Sequence, residues 1–132
     1  MITKTEHFKT HLVSSVLIES DKVLLSLRHQ TKMYPGFWSL PTGHIELCEE
    51  PKDALVRECS EELGIQIEEA KLLTYKIDKD ESIVNYVYQI ISYQGKILNQ
   101  EPHLCRQLGW FSLDNLPKPL TPVSQSILLE LN

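Results

Sequence analysis

Hydrophobic positions along the chain change period several times, and each change predicts an element. His11 to Glu19 and Lys22 to Arg28 are two β-rich segments broken at Ser20-Asp21, the pattern of a hairpin or tight connection. Gln30 to Gly36 is polar and closes on Pro35-Gly36, which predicts a loop. Phe37 to Leu40 reads as a short strand ended by Pro41, because proline has no N–H for a ladder. Pro41-Thr42-Gly43 then reads as a glycine-bearing turn. From Pro51 to Leu63 the period becomes helical, with proline at a first-turn position and Gly64 at the exit. Lys71 to Ile77, Ser82 to Tyr93 and Gly109 to Leu113 predict three further strands. Pro122 opens a last helix with Val123, Ile127 and Leu128 on one face.

Strands in this number with two helices, the first inserted mid-sheet, predict an α/β sandwich around a mixed sheet. The 132 residues suit one domain with one core, and no repeat, linker or low-complexity stretch divides them. Hydrophobic content of 42% and charged content of 23% belong to a folded globular chain. Apolar runs are too short to span a bilayer, which predicts no membrane partner. Met1 to Thr10 is polar and carries no secretory-signal pattern. Cys48, Cys59 and Cys105 are an odd number without Cys-x-x-Cys spacing, so they predict reduced thiols rather than disulfides or a zinc site. Together these features predict a cytoplasmic protein. The formal net charge of −5, with no basic tract, excludes a partner of polymeric nucleic acid. An acidic protein still binds a small polyanion when a metal inverts the local sign.

That exception gains weight on the first helix. At roughly 100° per residue, Glu58, Glu61 and Glu62 share one arc, and Leu55, Val56, Cys59 and Leu63 share the adjoining one. Three neighbouring carboxylates repel one another. Either water solvates them, or a hard divalent cation with oxygen ligands removes the repulsion and supplies a Lewis acid. Glu46 and Glu49 follow the glycine turn, and Arg57 stands where its fork can pair with Glu49 and pin loop to helix.

Gly43, Glu49, Arg57, Glu58, Glu61, Glu62, Gly64 and Ile65 together resemble the Nudix box, Gly-x5-Glu-x7-Arg-Glu-U-x-Glu-Glu-x-Gly-U, where U is a bulky aliphatic residue. They match without a gap, and only Cys59, at the first U, is loose. The resemblance implies a Nudix-type α/β/α sandwich, with the catalytic loop and helix mid-chain and residues 1–132 as a single Nudix hydrolase domain. It implies that Glu58, Glu61 and Glu62 are catalytic and hold Mg²⁺ or Mn²⁺, with the Thr42 carbonyl as a further metal ligand. Gly43, Glu49, Arg57 and Gly64 become the architecture of the motif. Arg28 stands where MutT-like relatives carry an arginine that contacts phosphate. Trp38 and Trp110 become packing aromatics. The acidic ligand that many relatives carry before the late tryptophan falls on Leu104 here; Glu101, three residues earlier, reads first as a solvent-exposed loop glutamate and second as a substitute ligand. The asparagine that reads the base in 8-oxoguanine enzymes falls near Leu120.

By the same resemblance the activity is that of a compact MutT-like enzyme cleaving a nucleoside triphosphate to the monophosphate and pyrophosphate. The partner is then a small nucleotide, and the protein a monomer or homodimer. Hydrolysis of dinucleoside polyphosphates or nucleotide sugars remains an alternative, as does a non-catalytic module that senses nucleotides. Such modules usually lose a box glutamate, and none is lost here. A Ca²⁺-dependent structural domain is disfavoured, because the Asp-x-Asp-x-Asp-Gly loop is absent.

Overall fold

The computed structural model of the protein describes residues 8–131. Strand β1 (Thr10–Val16) belongs to one sheet, and β2 (Ile18–Glu19) and β3 (Lys22–Arg28) to another. The single segment expected from His11 to Glu19 is therefore two strands, and the chain changes sheets at Leu17. The expected hairpin joins β2 to β3. Ser20 and Asp21 both take positive φ (52° and 63°), the backbone of a two-residue turn between twisted strands.

The first sheet has the order β5 (Thr42–His44), β1, β7 (Ile83–Gln94), β6 (Gln66–Ile77). Only β1 and β7 run parallel, so the sheet is mixed. In the second sheet β3 pairs along its whole length with β8 (Cys105–Ser112), while β2 and β4 (Trp38–Ser39) also pair with it near its two ends.

Helix α1 (Pro51–Leu63) has the predicted bounds, with proline at its start and Gly64 at φ 71° just past its end. The Gly64 N–H donates to the Ser60 carbonyl, satisfying a group the helix leaves open. Ala54, Leu55, Cys59 and Leu63 of α1 are buried with Val13, Ile65, Tyr88 and Ile90. Helix α2 (Pro122–Leu131) buries Ile127 and Leu128 in a second cluster with Val16, Val23, Leu25, Leu40 and Val87. Leu24 joins the first cluster while its neighbours Val23 and Leu25 join the second. This alternation follows from the two-residue period of a strand, and it puts a helix on either side of the strands. The α/β/α sandwich is thus the observed architecture. Cys48, Cys59 and Cys105 are all free thiols.

Several expectations need correction. β6 begins at Gln66, five residues before the expected Lys71, and β8 begins at Cys105 rather than Gly109. Gly43 lies inside β5, opposite Val13, and not in a turn. Trp38 packs edge-on against Phe111 at 4.7 Å between ring centroids, but Trp110 is 37% exposed and is not a core aromatic.

Candidate metal and phosphate site

A cavity of about 760 Å³ opens between the strands and the acidic face of α1. Arg28, Thr42, Gly43, Glu58, Glu61 and Glu62, all singled out from the sequence, line it, and Glu101 joins them. Glu49, Arg57 and Gly64 do not line it; they build the frame that holds it.

That frame is explicit. Arg57 Nε and Nη2 donate to the two Glu49 oxygens at 2.8 and 3.0 Å, the bidentate fork expected from the sequence. Arg57 Nη1 donates to Glu58 Oε1 (2.9 Å) and Glu61 Oε2 (3.3 Å), and Nη2 also reaches the His44 carbonyl (2.9 Å). One guanidinium therefore ties β5, the loop after it and α1 together. Glu49 also accepts from the Glu46 N–H at 2.9 Å, which closes the loop on itself. The Arg57 fork, with that N–H, holds the Glu49 carboxyl down at about 2. Because this folded value lies below the ordinary one, the tie is fully present above about pH 4.5 and is lost as pH falls toward 2. Arg57→Ala should lower the melting temperature, since the charge-assisted bonds to Glu49, Glu58 and Glu61 are lost together. Thermal unfolding followed by circular dichroism at pH 7 measures this. An unchanged melting temperature would make Arg57 something other than a structural tie.

Gly43 is required for steric reasons. A Cβ there would lie 2.1 Å from Glu58 Cδ and 2.3 Å from Glu58 Oε2. Glycine lets the Glu58 carboxylate lie directly on the β5 backbone. Gly43→Ala should therefore displace the flexible end of Glu58 and leave the fold intact. We expect a near-normal melting temperature and a turnover about tenfold lower, ~1.4 kcal/mol of barrier. Loss of folded protein instead would show that the backbone, not Glu58, gives way.

Thr42 has its own logic. Ser15 and Ile45 N–H groups bond the Pro41 and His11 carbonyls across the β1–β5 ladder. The odd-numbered positions of β5 thus face β1, and Thr42 and His44 turn their backbone groups to the open edge of the sheet. The His44 carbonyl on that edge meets Arg57, so the Thr42 carbonyl opens in the direction of α1. Threonine is at home in an extended strand, and no special backbone is needed. Its Oγ1 donates to the Leu40 carbonyl (2.9 Å) and lies 2.7 Å from Ser14 Oγ, which donates to Asn85 Oδ1 at 2.9 Å. Nothing local announces this chain of polar groups, since Ser14 and Asn85 are 71 positions apart.

Electrostatics sharpen the picture. Glu58 is 16% exposed at its side chain and Glu61 51%, so the helix face is graded from buried to open. Burial pushes the Glu62 carboxyl up to about 9, and the neighbouring Glu58, Glu101 and Glu61 add to the effect. Burial and then Glu58 and Glu61 also raise Glu101, which places this carboxylate among the box glutamates. Its loop is fastened to the end of α1: Leu98 and Gln100 N–H groups donate to the Leu63 and Glu62 carbonyls at 2.9 and 3.1 Å. Arg28 is half-buried, lowered by that burial and raised by Glu62. All three Arg57 nitrogens are committed, which leaves Arg28 and Lys32 as the cations lining the cavity beside four carboxylates. An all-oxygen, negatively charged donor set of this kind fits a hard divalent ion. Among the described residues no three such side chains already form a finished coordination shell. Glu58 and Glu61 are held by Arg57 and must turn to make one.

Residues 9–131 match the family model described as the NUDIX domain. An 8-oxo-dGTP diphosphatase of Proteus vulgaris is 28% identical over 100 residues, covering 74% of this chain and 89% of that protein. A MutT-like protein of Streptomyces ambofaciens is 34% identical over 118 residues, covering 89% of this chain and 73% of its own. Among solved structures, a MutT NUDIX hydrolase from Burkholderia pseudomallei superposes with a TM-score of 0.83 at 32% identity, covering 93% of this chain and 98% of that one.

Proposed function

The chain belongs to the NUDIX family as a MutT-like hydrolase, and on that premise we propose that it is a Mg²⁺-dependent enzyme that cleaves a nucleoside triphosphate to the monophosphate and pyrophosphate. The observation that carries this reading is the meeting of Glu58, Glu61, Glu62, Thr42 and Arg28 around one cavity.

Glu58, Glu61 and Glu62, with the Thr42 carbonyl, would hold Mg²⁺ or Mn²⁺. When bound, the ion supplies positive charge to the diphosphate and polarises it. The residues of the chain do the rest. Arg28 presents a guanidinium to a phosphate, with its Nε fixed by the Met33 carbonyl at 2.9 Å. Water attacks phosphorus, the bridging P–O bond breaks, and one of the box carboxylates takes the proton. Gly43 lets Glu58 reach its place, and the Glu49–Arg57 fork sets the helix against β5. Residues 1–132 act as a single domain in this reading, on a small nucleotide, as a monomer or homodimer in the cytoplasm. No helix among the described residues is long and apolar enough to cross a membrane.

A screen of nucleoside triphosphates, ADP-ribose, nucleotide sugars and dinucleoside polyphosphates with Mg²⁺ or Mn²⁺ tests the substrate. Products are identified by phosphorus NMR. Monophosphate and pyrophosphate from a triphosphate are expected. Turnover of dinucleoside polyphosphates or nucleotide sugars alone selects the alternative hydrolase. Binding of nucleotides without turnover selects the sensing module.

A further inference from the structure

Val13 and Ser15 of β1 meet α1, Val13 in the first core cluster and Ser15 through Cys59 Sγ at 3.2 Å. By the two-residue period of a strand, Leu12 and Ser14 lie on the opposite face of the sheet. Asn85 is registered with Leu12 there, and Thr42 with Ser14. Leu12 and Thr42 line the large cavity. Ser14 and Asn85, in the same rows, are only 1% and 2% exposed, at depths that apolar side chains usually fill.

The direction of the bonds between them is fixed by counting protons. Ser14 Oγ donates to Asn85 Oδ1 at 2.9 Å, which engages its one proton. In the 2.7 Å contact with Thr42 Oγ1 it therefore accepts, and Thr42 shares its proton between Ser14 and the Leu40 carbonyl at 2.9 Å. The side chains of β7, β1 and β5 are thus joined in series. Asn85 Nδ2, at the far end, is buried without a hydrogen-bond partner. An unmatched buried donor costs stability, and a leucine in this place would carry no such cost. Breaches of packing rules of this kind belong to functional positions more than to the bare scaffold.

The near end of the series is β5, three residues long, at the edge of its sheet and paired only with β1. Of its two outward carbonyls, Arg57 holds that of His44. Thr42 has no such clamp from α1, but its own side chain fastens it to Leu40 and Ser14. We propose that the Asn85–Ser14–Thr42 series is a tether that positions the Thr42 carbonyl for the metal ion. Asn85 and Ser14 are then positioning residues, acting through Thr42 without touching ion or substrate. This step rests on the metal reading above. Groups that orient metal ligands from behind typically change metal affinity about 10–100-fold when removed.

Three variants test it: Thr42→Val, which keeps the outline and removes the hydroxyl; Thr42→Ser, which keeps the hydroxyl; and the double change Ser14→Ala with Asn85→Leu. Protein-bound Mn²⁺ is measured by equilibrium dialysis, with and without methylenediphosphonate, a diphosphate that water cannot cleave. Thr42→Val and the double variant should bind Mn²⁺ about tenfold more weakly, and Thr42→Ser within about twofold of wild type. Melting in EDTA separates positioning from plain structure. The double variant should melt no lower than wild type, because both partners of a buried polar pair are replaced by apolar groups. Amide exchange in EDTA should quicken at Ser15 and Ile45, whose N–H groups bracket β5 on β1. Wild-type Mn²⁺ affinity in the double variant overturns the tether. So does an affinity that falls only together with the melting temperature, or a Thr42→Ser that behaves like Thr42→Val. If the wild type binds no Mn²⁺ under either condition, the metal reading itself fails and the tether with it.

Discussion

With EDTA in excess, hydrolysis should fall to background, and added Mg²⁺ or Mn²⁺ should restore it. Glu58, Glu61, Glu62 and Glu101 all line the cavity into which a polyphosphate must come. Two like charges about 4 Å apart repel by roughly 4 kcal/mol at an effective dielectric constant near 20. A triphosphate brings several negative charges against several more, and Arg28 and Lys32 together cannot offset that sum. Arg57 cannot help, because its donors are already spent on Glu49, Glu58, Glu61 and the His44 carbonyl. An added divalent cation reverses the sign of the problem for the carboxylates and the substrate together. The same cation should raise the melting temperature without any nucleotide present. At a hundred times its Kd a ligand adds about 2.7 kcal/mol to stability. Full turnover with chelator in excess would end the metal reading outright. A melting temperature blind to Mg²⁺ would show that the ion comes only with the substrate.

Glu62→Gln should lower kcat by about 10²–10³-fold, the usual range for losing one preorganised group that stabilises developing charge. Glutamine keeps the shape and the two heteroatoms but brings no charge and a poorer metal ligand. Burial raises the Glu62 carboxyl, and Glu58, Glu101 and Glu61 around it add to the effect. The substitution should therefore leave the metal-free protein at least as stable as wild type near neutral pH, since glutamine is neutral without having to take up a proton in the buried position. Melting in EDTA and steady-state kinetics in Mg²⁺ together make the test. A variant that loses stability along with activity would point to a structural part for Glu62. One that keeps its rate would return the residue to a solvated helix face. Glu61, half-exposed, should show the smaller effect when changed in the same way.

How much of this was legible in the sequence depends on whether the information is local. The bounds of α1 are written in Pro51 and Gly64, because both act within one turn of the helix. The Glu49–Arg57 fork spans eight positions across one loop and one helix, and spacing was enough to foresee it. β6 was read too short because Glu68 and Glu69 are both exposed and break the alternation, as an edge strand permits. β5 was missed because Gly43 reads as a turn residue, while its actual constraint is a carboxylate fifteen positions later. Glu101, whose loop bonds to the end of α1, and the Ser14–Asn85–Thr42 chain meet the site only through contacts between elements far apart in sequence. No periodicity records such long separations.

The parallel pairing of β1 with β7 matters for how the molecule comes into being. Thr10 is matched to Ile83 in that ladder, and α1 lies in the intervening chain. A ladder between such distant positions has a large loop-closure cost before its contacts repay it. The first half of the chain therefore has no finished sheet on which to lay the glutamate helix. During synthesis, α1 should stay loosely held until β7 has emerged and docked against β1. Refolding from denaturant should accordingly proceed in milliseconds to seconds rather than microseconds. Burial of Leu55, Cys59 and Leu63 and assembly of the carboxylate cluster should appear in the same kinetic phase.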